Sequence, residues 1–177
     1  MPLPGLLAPT TTASPPRHRA VSHVAGLAHS LNLAMETQEK FNWCWAAVSV
    51  SVWKFKGLPD PLTQCEYVDR RFKRNCCDDP DACDERFVID PVIFTRVAGA
   101  FPFETVKQLI DAGRLVTVRI TWSGGGTHFV CIDGYNIAGP APRVSVKDPF
   151  YGPSLIPYDK LVSSYQDLGA WTDSYSS

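Results

Sequence analysis

The pattern of hydrophobic and polar positions divides the chain into a helical part and a strand part. In the second half, residues 115–122, 128–135 and 143–148 are runs rich in β-branched and aromatic side chains. A glycine-rich turn separates the first two runs, and a turn with glycine and prolines separates the last two. Such runs bounded by turn residues predict neighbouring antiparallel strands.

The first half of the chain favours helices. Residues 44–57 form a stretch of one helix's length that stops at a glycine, where helices commonly end. Further helices are predicted over residues 61–73, around 86–97 and around 104–112, and alternation over 31–35 predicts a strand before the first helix. We therefore expect an α+β fold, with an N-terminal helical half packed on a C-terminal antiparallel sheet half.

Composition limits the classes of protein that the chain can be. With 177 residues, 45% of them hydrophobic, it can bury one sizeable core. Its 17 basic and 18 acidic residues are scattered and give a net charge of −1, which favours neither nucleic acid nor a membrane surface as partner. No stretch approaches the roughly 20 apolar residues of a membrane-spanning helix. We expect a monomer.

The N-terminal segment differs in composition from the rest. Five prolines and a threonine run lie within the first 16 residues, a composition that resists packing. We predict a disordered tail over residues 1–29 and one folded domain over residues 30–177. Three of the four histidines, His18, His23 and His29, fall in this tail, which leaves His128 as the histidine of the domain.

The start of the first predicted helix carries a candidate nucleophile. Cys44 begins this helix, and Gln38 precedes it by six positions. The unpaired N–H groups and the helix dipole favour a thiolate there, especially beside a cationic histidine. The alternative is an inert buried cysteine, since free cysteine is among the most buried residue types.

The predicted hairpins supply partners for this thiol. His128 begins a strand beside the glycine-rich turn. If the next turn is centred near Gly139, position 128 lies opposite about position 150, so Asp148 comes within one or two rungs of His128. Asp133 competes for the role of orienting carboxylate, but it lies about 16 Å along the strand of His128 itself.

These four residue types are the parts that acyl transfer by a thiol requires. Cys44 attacks a carbonyl carbon, His128 carries the proton and Asp148 fixes the imidazole tautomer. Gln38 and the backbone N–H of Cys44 stabilise the oxyanion. We expect no cofactor and no metal in this chemistry.

The same residues resemble the papain-like cysteine peptidases. The similarity covers roughly residues 31 to 175 and is greatest to the compact bacterial branch with the plant-pathogen avirulence proteases and the bacteriocin-leader peptidases. It is carried by Gln38 before Cys44-Trp45, by His128-Phe129-Val130, and by Asp148-Pro149 with Gly152. Residues 41–43 depart from the Cys-Gly-Ser of plant-type enzymes, and Asp148 stands where asparagine is common. The resemblance implies a papain-like fold and a protein or peptide substrate.

The remaining cysteines bear on the destination of the protein. Cys65, Cys76, Cys77 and Cys83 lie within 19 residues, and their spacing fits zinc poorly. Because vicinal cysteines seldom join each other, we expect Cys76 and Cys77 to pair separately with Cys65 and Cys83, in either combination. Two disulfides imply an oxidising compartment, so we expect a protein secreted or translocated from a bacterial cell. Cys131 is expected to be buried and inert.

Two other functions remain open. A papain-fold acyltransferase, deamidase or transglutaminase-like enzyme would use the same thioester with another acceptor than water. A disulfide-stabilised toxin or binding module could carry the same residues as a vestigial triad.

Overall fold

The computed structural model of the protein describes residues 26–60, 62–84, 89 and 94–177. Within these residues the chain forms four α-helices, a short 3-10 helix at Pro80–Cys83 and seven strands. The helices are α1 (Cys44–Phe55), α2 (Gln64–Phe72), α3 (Phe103–Asp111) and α4 (Tyr158–Ser163). The strands are β1 (Ala28–Ser30), β2 (Thr95–Ala98), β3 (Val116–Trp122), β4 (Thr127–Asn136), β5 (Arg143–Asp148), β6 (Gly152–Pro157) and β7 (Gly169–Ser176).

All strands belong to one antiparallel sheet. The order is β2-β7-β3-β4-β5-β6, and β1 pairs with the end of β4. The hairpin of β3 and β4 and the hairpin of β4 and β5 are those that the sequence predicts. The α+β fold class is thus confirmed, with helices added to a seven-stranded antiparallel sheet.

The sheet separates two hydrophobic clusters, and alternate residues of β4 contribute to each. One cluster joins α1 and α2 to the sheet and includes Trp45, Phe129 and Cys131. The other joins α3 and α4 to the sheet and includes Val130 and Ile132. This alternation follows from the two-residue period of a strand. Because both faces are covered, β4 is buried along almost its whole length.

Helix α1 is built mainly of apolar and small residues, which explains why it lies in the core. Nine consecutive residues, 44–52, are buried, among them the small side chains of Ala46 and Ala47. A helix that is hydrophobic all round is a buried helix. Its first residue, Cys44, is therefore held at a fixed depth beside the sheet.

The helix predicted around residues 86–97 is wrong where the structure describes it. Thr95–Ala98 forms β2, an edge strand that pairs with β7. Arg96 donates hydrogen bonds to the buried carboxylate of Asp173 on β7, which fixes this pairing. Residues 85–88 and 90–93 lie outside the described residues.

The strand predicted over residues 31–35 is also wrong. These residues alternate in burial, with Leu33 buried, but they form no strand. Asn32 has a left-handed backbone, with φ of 56°, and this ends the sheet pairing that β1 begins. The segment is held instead by Asp133, whose carboxylate accepts a hydrogen bond from the N–H of Leu33 at 3.0 Å.

The end of the predicted tail takes part in the sheet. Ala28 and His29 belong to β1 and pair with Asn136 and Tyr135. His29 also lies 3.1 Å from Asp111 on α3. Residues 1–25 of the predicted disordered tail lie outside the described residues.

Candidate active site

Cys44 is the first residue of α1 and lies at the bottom of a cleft. The chain turns over residues 40–43, where the N–H of Trp43 donates to the carbonyl of Lys40 at 3.1 Å. Trp43 precedes the helix, and no side chain in the described part of the chain caps this helix start. The first N–H groups of α1 therefore stay available to stabilise negative charge beside Cys44.

His128 lies at the start of β4, opposite Ile120 of β3. Its Nε2 atom is 3.0 Å from each carboxylate oxygen of Asp148. The imidazole and the thiol of Cys44 line the same cleft, and the thiol is among the groups that influence the pKa of His128. Since Nε2 faces Asp148, Nδ1 is the nitrogen that remains for the thiol.

The charge state of His128 follows from its two partners. Burial of the imidazole opposes its protonation, but hydrogen bonds with Asp148 and Cys44 outweigh burial and raise the pKa of His128 to about 9. At neutral pH the ring is therefore an imidazolium. A positive charge beside a cysteine is typical of sites in which the cysteine is a nucleophile.

Asp148 is held by more than its histidine. Its side chain is fully buried. Oδ1 accepts hydrogen bonds from the N–H groups of Phe150 at 2.6 Å and Tyr151 at 2.9 Å, and Oδ2 accepts one from the hydroxyl of Tyr165 at 2.6 Å. Burial opposes ionisation, but the hydrogen bond from His128 leads the interactions that lower the pKa of Asp148 below its usual value. Asp148 is therefore an anion with a fixed orientation.

Three aromatic side chains around this pair were not predicted. Trp122 stacks on His128 with ring centroids 5.9 Å apart, and on Tyr165 at 6.3 Å. Tyr151 meets the imidazole edge-on at 6.2 Å. The predicted hairpin could have indicated Trp122, since it lies at the end of the strand that pairs with β4. No spacing in the sequence indicates that Tyr165 reaches Asp148.

Gln38 lines the same cleft as Cys44 and His128. Its backbone N–H donates to the carbonyl of Pro149 at 3.0 Å, which ties it to the residue after Asp148. Its Nε2 group donates to the carbonyls of Lys40 at 2.9 Å and Phe41 at 2.5 Å. In this conformation the amide hydrogens are directed at the chain itself.

The cleft has a volume of about 340 Å³. Among the residues that the structure describes, three ionisable side chains line the cleft, namely Cys44, His128 and Tyr151. Phe41 and Phe150 stand at its rim with 83% and 50% of their surface exposed, and their rings meet edge-on at 6.1 Å. The glycine-rich turn between β3 and β4 supplies Gly125 and Gly126. Such an open apolar cleft can take an extended peptide.

Two residues considered in the sequence analysis lie away from the thiol. Asp133 is buried and faces Leu33 and Lys147, with Lys147 Nζ 3.5 Å from its Oδ2. Cys131 is buried in the cluster beneath α1, and burial raises the pKa of its thiol to about 12. It is therefore a poor nucleophile at neutral pH.

The other four cysteines form two disulfides, Cys65–Cys77 and Cys76–Cys83, with Cα atoms 5.5 and 5.8 Å apart. This is one of the two pairings that the sequence left open. Cys65–Cys77 joins α2 to the loop after it, and Cys76–Cys83 joins that loop to the 3-10 helix. Cys76 and Cys83 are fully buried in the cluster that contains Cys44. Among the described residues, no group of three or more potential ligands is placed to hold a metal ion.

The fold and the cleft define a cysteine peptidase of the papain type. Comparison with protein families agrees, because residues 27–165 match the family described as papain-like cysteine protease AvrRpt2. The chain belongs to this family. No curated protein matches the chain. None of the helices within the described residues is long and apolar enough to cross a membrane.

Proposed function

We propose that the chain hydrolyses peptide bonds with Cys44 as nucleophile, His128 as proton carrier and Asp148 as orienting carboxylate. The observation that carries this proposal is the position of the imidazole, which lies 3.0 Å from both oxygens of Asp148 and lines the same cleft as Cys44. Membership of a cysteine protease family supports the reaction class.

In the first step the thiolate of Cys44 attacks the carbonyl carbon of the scissile peptide bond. A tetrahedral intermediate forms, and its oxygen takes the negative charge. The imidazolium of His128 gives its proton to the amide nitrogen, the C–N bond breaks, and the amine product leaves. The acyl group stays on Cys44 as a thioester.

In the second step the neutral imidazole takes a proton from a water molecule, which attacks the thioester carbon. The C–S bond breaks, the acid product leaves, and the thiolate and imidazolium are restored. Asp148 keeps Nε2 of His128 protonated throughout, so that Nδ1 faces the reacting atoms.

The oxyanion is stabilised by the backbone N–H of Cys44 and by the side chain of Gln38. For this role an amide hydrogen of Gln38 turns from the carbonyl of Lys40 or Phe41 towards the oxyanion. The charged acceptor favours this exchange, because hydrogen bonds to ionised groups are about twice as strong as neutral ones.

The decisive experiment is cleavage of a peptide library followed by mass spectrometry. The wild-type chain should produce cleaved peptides with free carboxylate ends, and Cys44→Ala should produce none. Cys131→Ala is the matched control, because it removes the other free thiol and should leave cleavage intact. Products extended by an amine would indicate acyl transfer in place of hydrolysis. Absence of cleavage together with inert thiols would indicate a vestigial triad.

Alkylation by iodoacetamide between pH 5 and 8 tests the nucleophile without a substrate. Cys44 should react first, because only this thiol lies beside His128 and a helix start. Labelling led by Cys131 would contradict the assignment.

Gln38→Ala separates the oxyanion role from the nucleophile. The variant should raise the acylation barrier by about 2.7 to 4 kcal/mol, as loss of one oxyanion donor does in other enzymes. Alkylation of Cys44 should keep its rate, since iodoacetamide forms no oxyanion. An unchanged kcat in this variant would remove Gln38 from the mechanism.

We also propose that the protein acts as a monomer in an oxidising compartment outside the cell that makes it. The two disulfides support the compartment. Balanced charge supports a protein substrate and argues against a nucleic acid or membrane partner.

A further inference from the structure

Gln64 is a fully buried polar residue that the proposed mechanism does not use. It is the first residue of α2, and only 1% of its surface is exposed. A buried amide without partners destabilises a protein, so its hydrogen bonds identify its role. All of its hydrogen bonds reach the segment that carries Gln38.

The amide of Gln64 brackets Gln38 along the backbone. Its Oε1 accepts from the N–H of Glu39 at 3.0 Å, and its Nε2 donates to the carbonyl of Thr37 at 2.9 Å. A third, longer bond joins Nε2 to the carboxylate of Glu36 at 3.3 Å. The two backbone partners are thus the immediate neighbours of Gln38.

The opposite side of the same segment is held by the sheet. The N–H of Gln38 donates to the carbonyl of Pro149 at 3.0 Å. In an extended chain, neighbouring residues direct their backbone groups to opposite sides. Residue 38 therefore lies between α2 on one side and the residue after Asp148 on the other, and its side chain projects into the cleft.

Helix α2 is itself well fixed. Thr63 and Glu66 form a reciprocal pair of hydrogen bonds at its start, and Cys65 is bridged to Cys77. The Sγ atom of Cys65 also lies 3.6 Å from the carboxylate of Glu39. The amide of Gln64 thus extends from a rigid support.

We propose that Gln64 is a positioning residue for the oxyanion-stabilising side chain of Gln38. This inference rests on the proposed function, because it requires that Gln38 acts on the oxyanion. Gln64 does not touch the substrate. Gln64 fixes the backbone of residues 37–39. Without these hydrogen bonds the side-chain amide of Gln38 would no longer keep its position relative to Cys44.

The test compares Gln64→Met with Gln64→Glu. Methionine keeps the length and removes all three hydrogen bonds, whereas glutamate keeps an acceptor for the N–H of Glu39 and loses the donor to Thr37. We expect kcat to fall about 10- to 100-fold in Gln64→Met and at least as much in Gln64→Glu, because a buried carboxylate would face the carbonyl of Thr37 and the carboxylate of Glu36. The alkylation rate of Cys44 should stay at the wild-type value in both.

Val68→Ala is the matched control for loss of stability. Val68 is fully buried one turn further along α2, in the core cluster beneath α1. Its truncation should lower the melting temperature of the chain and leave kcat unchanged below that temperature. A fall in kcat equal to that of Gln64→Met would mean that any weakening of α2 has the same effect, and would overturn the proposal.

The double variant Gln38→Ala/Gln64→Met distinguishes this proposal from the function on which it rests. If Gln64 acts through Gln38, the double variant should have the kcat of Gln38→Ala alone. Additive losses, or an unchanged kcat in Gln64→Met, would overturn the role of Gln64. An unchanged kcat in Gln38→Ala would instead overturn the oxyanion role of Gln38.

Discussion

The two walls of the cleft are held in place by different kinds of interaction. The helical wall carries Cys44 and is fixed by apolar packing around α1 and by two disulfides. The sheet wall carries His128 and Asp148 and is fixed by the buried carboxylate of Asp148, which accepts hydrogen bonds from His128, Tyr165 and two backbone N–H groups.

Because of this difference, the position of the Cys44 thiol and the protonation of the His128 imidazole depend on separate sets of interactions. Apolar contacts and disulfides set where the thiol lies, and neither responds to pH in the physiological range. Hydrogen bonds to Asp148 set both the direction of the imidazole and its charge. Changes in the sheet wall should therefore alter the pH dependence of catalysis, whereas changes in the helical wall should alter stability.

The largest effect is expected from the buried carboxylate of the sheet wall. Asp148→Ala should lower kcat/KM by at least about 100-fold, because His128 loses its orientation and its charge partner. Asp148→Asn should be milder, since the amide oxygen still accepts the imidazole N–H. Steady-state kinetics on one cleaved peptide measures both. Asp133→Ala is the control, and a comparable loss there with an active Asp148→Ala would identify Asp133 as the orienting residue.

A second prediction concerns the alkaline limit of activity. Because the pKa of His128 is raised to about 9 from 6.5, the imidazolium and its stabilising bonds are complete below 6.5 and are lost as pH rises to 9. We expect kcat/KM to fall about tenfold per pH unit above the raised pKa of His128, about 9. A pH profile from 5 to 10 checks this.

Asp148→Asn supplies the comparison for that profile. Removing the charge of Asp148 removes one cause of the raised His128 pKa, so the alkaline limb should move to lower pH. A wild-type limb near pH 6.5 would show that the imidazolium is not stabilised in the cleft.

The disulfides should affect stability more than chemistry. Replacing Cys76 and Cys83 by alanine should lower the free energy of unfolding by about 2 to 3 kcal/mol, mainly because the unfolded chain gains conformational entropy when the bridge is absent. Chemical denaturation measures this change.

Unreduced denatured protein should show two free thiols, those of Cys44 and Cys131, and six thiols after reduction. Six free thiols before reduction would show that neither disulfide forms, and that disulfides do not stabilise the helical wall.

The smallest effect is expected from Tyr165→Phe. The variant removes only the hydroxyl that donates to Asp148 Oδ2 at 2.6 Å and keeps the ring that stacks on Trp122. We expect a fall in kcat of about tenfold, consistent with loss of one hydrogen bond to a charged group. KM should stay unchanged. A change confined to KM would place Tyr165 in substrate binding instead.

The elements that the sequence predicts correctly are those with a strong local pattern. Helix α1 is a largely apolar segment of one helix's length that ends near Gly57, and β5 alternates over six residues between turn signals. The contact between His128 and Asp148 follows from the same hairpin register. Local pattern and tertiary contact agree in these segments, so the sequence is sufficient.

The elements that were missed depend on distant partners. Strand β6 contains Pro153 and Pro157, which are tolerated because β6 is an edge strand. Strand β2 is exposed at all four residues and is defined by its pairing with β7. Tyr165 and Gln64 become polar contacts of the site only when α4 and α2 are packed. No local spacing carries that information.

The position of β7 has a consequence for the timing of activity. This strand lies between β2 and β3, and its Asp173 pairs with Arg96 on one neighbour and Arg119 on the other. It is also the last of the described strands to be synthesised. While residues 169–176 remain inside the ribosome, β3 lacks a neighbour and the sheet stays open on that side. A nascent chain therefore cannot present a finished cleft to the proteins around it until translation has passed these residues.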